Sequence, residues 1–186
     1  MLLSDELVTT QTMSWVKEFI VALNVCPFAK REVERETVRC VVLRSKKMDV
    51  ALEELMAEVQ WLDEHPETET TLLVFPTLFK DFHRYLDFVE TAENVMFDQG
   101  CEGVYQLATF HPDYCFSGAE PDDVSNYTNR SPYPMLHLLR EASVDKAIEF
   151  YGDTSDIPNQ NIEKMETLGK TKLDDMFAGC MKAESE

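Results

Sequence analysis

Two histidines and a carboxylate raise the question of function first: His111, Asp113 and, further along, His137. An HxD pair followed later by a second histidine has the composition of a two-histidine, one-carboxylate metal site, which leaves positions open for substrate or oxygen. On that reading His111, Asp113 and His137 hold a divalent metal ion, with Cys115, Glu120, Asp122 and Asp123 as nearby alternative ligands. Metal-free catalysis uses the same residues differently. Histidine titrates near neutral pH, so His111 can act as a general acid/base, oriented by Asp113 or Asp123. The plain structural alternative is that His111 closes the end of a strand and His137 faces solvent.

These residues share one stretch, His111 to Glu141, which contains half of the eight prolines and three of the six tyrosines. Its core, the segment 110–134, has little apolar periodicity, and long irregular connections in compact domains tend to be functional or disordered. The aromatics Phe110, Tyr114, Phe116, Tyr127 and Tyr133, with the fixed-φ prolines, favour an ordered functional loop. Arg130 invites an anion-binding reading. Pro132 and Pro134 remove backbone donors, so a small polar or anionic molecule would be held by the side chains of Asn126, Asn129, Arg130, Tyr133 and Arg140. The asparagines can instead bond the loop's own backbone.

Two classes of function follow. One is a small enzyme in which His111 and Asp113 are catalytic. The other is a non-catalytic ligand- or partner-binding module, with the loop as a structural plug or docking surface, since Tyr and Arg are typical interface anchors. A filled site with His111 and Arg130 bonded only to local backbone would favour the module. A concave pocket with a perturbed titratable group would favour the enzyme. Cys26-Pro27 is weighed separately: a short helix starting at Pro27 would lower the thiol pKa of Cys26, while a packed structural thiol is the alternative.

The elements that position these residues follow from periodicity. Val16, Phe19, Ile20 and Leu23 predict a helix over 12–24, ending near Asn24 ahead of Pro27. Thr37–Leu43 reads as a buried strand. Asp49 is placed to cap a helix carrying Leu52, Leu55, Met56, Val59 and Leu62, stopped by His65-Pro66. Thr71–Phe75 is a second strand. Asp81 caps a third helix with Phe82, Tyr85, Leu86, Val89 and Met96 inward, finished by Gly100. Val104–Phe110 is a third strand. Beyond the loop, Ser131 with Pro132 predicts a helix burying Met135, Leu138, Leu139 and Ala142, and a last helix runs from about Asn161. The alternation predicts an α/β fold: one layered domain over 1–186, with a small, mostly parallel sheet of three or four strands flanked by about five helices. If the strands are parallel, the loops at Arg44–Lys47, Pro76-Thr77 and His111 share one edge, where ligands of such sheets gather.

Composition narrows the partners. The net charge of −18 disfavours general binding to nucleic-acid phosphates. No apolar run approaches a membrane span, and the acidic start, Met1 to Leu7, does not read as a secretion signal, so a cytoplasmic protein is expected. The five scattered cysteines, with no CxxC pair, predict free thiols.

Three motifs carry a resemblance: Asn24-Val-Cys-Pro-Phe-Ala-Lys30, Phe110-His-Pro-Asp-Tyr114, and the block Asn126 to Glu141, NYTNRSPYPMLHLLRE. Together they resemble a bacterial family known only as a domain of unknown function, about as long as this chain. The resemblance implies a stand-alone cytoplasmic protein whose signature segments coincide with the stretches above. It implies no activity, cofactor or catalytic residue.

Overall fold

A four-stranded sheet organises the molecule, in the order β1-β2-β4-β3, with helices on both faces. The computed structural model describes residues 3–183. The strands are β1 (Val38–Val42), β2 (Thr70–Val74), β3 (Tyr105–Phe110) and β4 (Met135–Arg140), and the helices are α1 (Asp5–Trp15), α2 (Ala29–Glu34), α3 (Met48–Glu64), α4 (Phe82–Asp98), α5 (Glu141–Tyr151) and α6 (Ile157–Met181). No helix among the described residues is long and apolar enough to cross a membrane.

β1 pairs parallel with β2, while β4 lies antiparallel to both β2 and β3. The first three strands therefore run in one direction, as the alternation predicted, and their carboxyl ends share one edge. The mostly parallel pairing does not hold, because a fourth strand running the other way separates β2 from β3. That strand is the segment expected as a helix after Ser131. Two prolines explain the change: Pro132 and Pro134 push the residues before them, Ser131 and Tyr133, toward extended backbone. The following MLHLLR then hydrogen-bonds on both sides as an interior strand. A strand covered on both faces reads as a continuous apolar run, which periodicity cannot tell from a buried helix. Ser131 caps nothing; its hydroxyl donates to the Tyr133 carbonyl at 2.6 Å.

One face of the sheet packs Leu73, Leu136 and Leu138 under α3 and α4, through Leu55, Leu62, Tyr85 and Phe88. α4 is capped by Asp81, which accepts from the Arg84 amide at 2.9 Å. It ends at Gly100, whose φ of 77° a side chain would resist. Leu86 turns outward, 42% exposed, against expectation. Asp49 lies inside the first turn of α3 and does not cap it, since the helix starts at Met48.

The opposite face packs Leu72, Val74 and Met135 under the first helix and α6. The first helix begins earlier than its periodicity predicted, because Ser4 caps it by accepting from the Leu7 amide at 3.1 Å. It then widens into a π-helical turn over Val16–Val21, which buries Val16, Phe19 and Ile20. α6 is two helical pieces joined at Gly169 (φ 73°).

Candidate functional site

His111 follows β3 directly, and its ring turns to the α4 face, 5.0 Å from Tyr85 and 5.1 Å from Phe82 between centroids. It is fully buried. Nδ1 accepts from the Asp113 amide at 2.9 Å, so the proton sits on Nε2, which donates to the Phe79 carbonyl at 2.8 Å. Burial lowers its pKa. Phe79 adopts φ 60°, a conformation that is uncommon without glycine, and His111 anchors it there. Both imidazole nitrogens thus bond backbone. The Asp113 contribution is its amide, and its side chain is exposed. Asp123 does not orient His111 either: it caps the 3₁₀ turn Val124–Thr128, accepting from the Ser125 amide at 2.8 Å, which holds its carboxyl below the ordinary range.

The rest of the loop is tied in the same manner. Asn126, fully buried, accepts from the Phe116 amide at 3.0 Å and donates to the Glu120 carbonyl at 2.9 Å. Asn129 donates to the Thr109 carbonyl at 3.0 Å. Arg130 donates to the carbonyls of Tyr114 (3.3 Å) and Pro121 (2.7 Å), with its guanidinium 4.7 Å over the Tyr127 ring. Two tyrosines pin the loop to distant elements: Tyr127 donates to Asp174 of α6, and Tyr133 to Gln11 of α1.

The metal triad does not assemble. His137 lies mid-strand on β4, paired with Leu72 and Ala108, and its ring belongs to the face opposite His111, near Phe110 and Thr70. Among the described residues no group of three His, Cys, Asp or Glu side chains is arranged to hold a metal ion. His137 is not a solvent-facing residue. The Thr70 hydroxyl donates to the Leu138 carbonyl at 2.7 Å and so accepts from His137 Nε2 at 2.6 Å. Burial pushes the His137 pKa down to about 4, so the ring is neutral at pH 7.

Arg140 also leaves the proposed substrate set. As the last residue of β4 it pairs with Tyr105, whereas Met135 at the other end pairs with Phe110 beside the loop. The length of the strand, roughly 17 Å, separates it from Arg130's end of the sheet. Its guanidinium donates to the carbonyls of Leu62 (2.7 Å), His65 (3.2 Å) and Thr68 (3.1 Å), and to the Tyr105 hydroxyl at 3.1 Å. Tyr105 in turn donates to Asp63 at 2.7 Å, and its own pKa is pushed up to about 12, by burial first and then by the Asp63 carboxylate. This arrangement closes the C-terminal end of α3.

Cys26 is half-buried in the α6-side core, and burial raises its thiol pKa despite the amides of Phe28 and Ala29 nearby. The packed-thiol reading fits. Sequence reasoning missed a buried ionic group on the other face: Glu58 of α3 accepts from Arg39 and Thr71, each at 2.8 Å, while Arg39 lies 3.9 Å over Trp61. A carboxylate three residues after Leu55 and four before Leu62, on the buried stripe, is the signal that could have found it.

Two surface grooves stand out, one of about 390 Å³ between the end of the first helix and α6, the other of about 380 Å³ among α3, the end of α4 and β3. Leu23 and Lys164 line the first, Asp63 and Tyr105 the second, and neither is lined by a residue of the 110–134 loop. The loop's polar side chains are bonded mostly to its own backbone, at the carboxyl edge of β1, β2 and β3. No curated protein and no solved structure matches the chain. The chain belongs to the family described as protein of unknown function (DUF1415), which it matches over residues 7–175.

Proposed function

We propose that this domain is a non-catalytic binding module in which the 110–134 loop is a structural plug. One observation carries the reading: His111, Asn126, Asn129 and Arg130, the loop residues best suited to chemistry, make seven hydrogen bonds to backbone amides and carbonyls, five of them within the loop and the others to Phe79 and Thr109 beside it. A general base needs a nitrogen within reach of substrate, and both nitrogens of His111 are engaged. Arg130 ties the loop to itself, through Nε and one Nη to the carbonyls of Tyr114 and Pro121 and through its guanidinium face to Tyr127.

The test separates structure from chemistry. His111→Ala, Asn126→Ala and Arg130→Ala each remove buried or charge-assisted hydrogen bonds worth about 1.5–3 kcal/mol. For a chain of this size that lowers the melting temperature by roughly 4–10 °C. Arg130→Lys recovers little, because an ammonium cannot reproduce the two-carbonyl fork over Tyr127. A catalytic or substrate-binding role predicts the reverse: variants that melt like the wild type and lose only a turnover or a ligand.

A further inference from the structure

The groove of about 380 Å³ among α3, the end of α4 and β3 lies at the start of β3, the end of the sheet away from the loop. Its volume falls in the range of small-molecule sites, roughly 300–1,000 Å³. One wall is a single stripe of α3. Met56, Val59, Gln60 and Asp63 stand at i, i+3, i+4 and i+7, positions that share one helix face. Val104, 50% exposed, and Tyr105 line the β3 side. The groove thus offers an apolar length, Met56, Val59 and Val104, with Asp63 as the one charged group of its lining among the described residues.

The state of Asp63 selects the ligand. Its Oδ1 accepts from the Tyr105 hydroxyl at 2.7 Å, and that hydroxyl accepts from Arg140 at 3.1 Å. Among the described residues Oδ2 has no hydrogen-bond partner and the carboxylate makes no ion pair. Arg140 lies outside the lining, its donors on the carbonyls of Leu62, His65 and Thr68. The backbone adds charge of the same sign as Asp63. Both α3 and α4 end beside the groove, and a helix C-terminus carries partial negative charge that a nearby cation relieves. Neither helix has a basic residue in its last turn; Asp63 and Glu64 close α3, and Asp98 closes α4. A cation is therefore favoured here and an anion repelled. Because Tyr105 already occupies Oδ1, a compact ammonium suits the remaining oxygen better than a guanidinium fork, which pairs with both. We propose that this groove binds a primary alkylammonium group, its nitrogen on Oδ2 of Asp63 and its carbon chain along Met56, Val59 and Val104. The proposal rests on the binding-module reading and names the ligand class and the place of binding.

The isotope-labelled full chain is titrated at neutral pH and followed by amide NMR. Pentylammonium is expected to shift the amides of Gly100, Cys101 and Tyr105 saturably, with a dissociation constant on the order of 1 mM. Methylammonium, which lacks the apolar chain, binds about tenfold or more weakly, and pentanol and pentanoate do not bind. Asp63→Asn keeps an acceptor for the Tyr105 hydroxyl and so melts close to the wild type, yet binds pentylammonium about tenfold more weakly. Val104→Ser, at an exposed position, binds it about threefold more weakly. Nα-acetyl-lysine amide distinguishes two sources of the group. Binding like that of pentylammonium assigns a lysine side chain of a partner, its exclusion assigns a free amine, and either supports the site. Undiminished binding to Asp63→Asn overturns the proposal, as does pentanol or pentanoate binding as tightly as pentylammonium. So does the lack of any saturable shift at these amides up to about 50 mM pentylammonium. That failure leaves the module reading to be judged by the melting of the loop variants, at the other end of the sheet.

Discussion

His137 gives the protein a built-in acid sensitivity. Its folded-state pKa of about 4 lies below the ordinary histidine value of 6.5, and burial lowers His111 in the same direction. Between those values the unfolded chain binds a proton that the folded chain refuses, so stability rises with pH across this window. The contribution is complete above pH 6.5 and is lost as pH falls toward 4. For His137 it amounts to about 3 kcal/mol at most. Denaturant unfolding at several pH values should therefore show a shallower slope for His137→Gln than for wild type in this window, and equal slopes would remove His137 as the cause. That these histidines matter was legible in the sequence; their partners were not. Thr70 and Phe79 lie 67 and 32 residues away, and the His137–Thr70 pairing exists only once β4 has entered the sheet.

At the scale of elements, the most consequential misreading is β4. Met135, Leu138, Leu139 and Ala142 fit a helical stripe, and the first three equally fit a central strand, so tertiary context decided between them, with Ala142 in α5 beyond it. The helix-to-strand change moved Arg140 away from the loop and onto the end of α3. Arg140→Met should cost about 2–3 kcal/mol, because it deprives buried carbonyls and the Tyr105–Asp63 pair of a charged donor, and Arg140→Lys should restore only part of it. Thermal unfolding checks both variants; unchanged stability would return Arg140 to the pool of free functional groups. Local signals served some elements and misled at others: Ser131 and Asp49 have the residue types of helix caps and cap nothing. Asp81 and Gly100 bracket α4 because capping chemistry is written in adjacent residues, and β1, β2 and β3 are short apolar runs closed by turns.

For the whole molecule, the irregular loop is a structural tie. The loop covers the carboxyl edge of the sheet and ties α1, β3 and α6 together through Tyr133, Asn129 and Tyr127. Its richness in His, Asn, Arg and Tyr, which suggested a catalytic site, is also what a long irregular segment needs to satisfy its own buried backbone. Sequence composition cannot distinguish these uses, since both call for polar side chains at fixed positions. The central claim, that the loop is a self-bonded plug, is tested most directly by native-state hydrogen exchange at the amides of Asp113 and Phe116. Each donates to a side chain of the loop, at 2.9 Å to His111 and 3.0 Å to Asn126. Both should exchange slowly in the wild type, and each should accelerate when its acceptor is replaced, in His111→Ala and Asn126→Ala respectively. Exchange of both amides at the rate of an unstructured peptide in the wild-type protein would contradict the account.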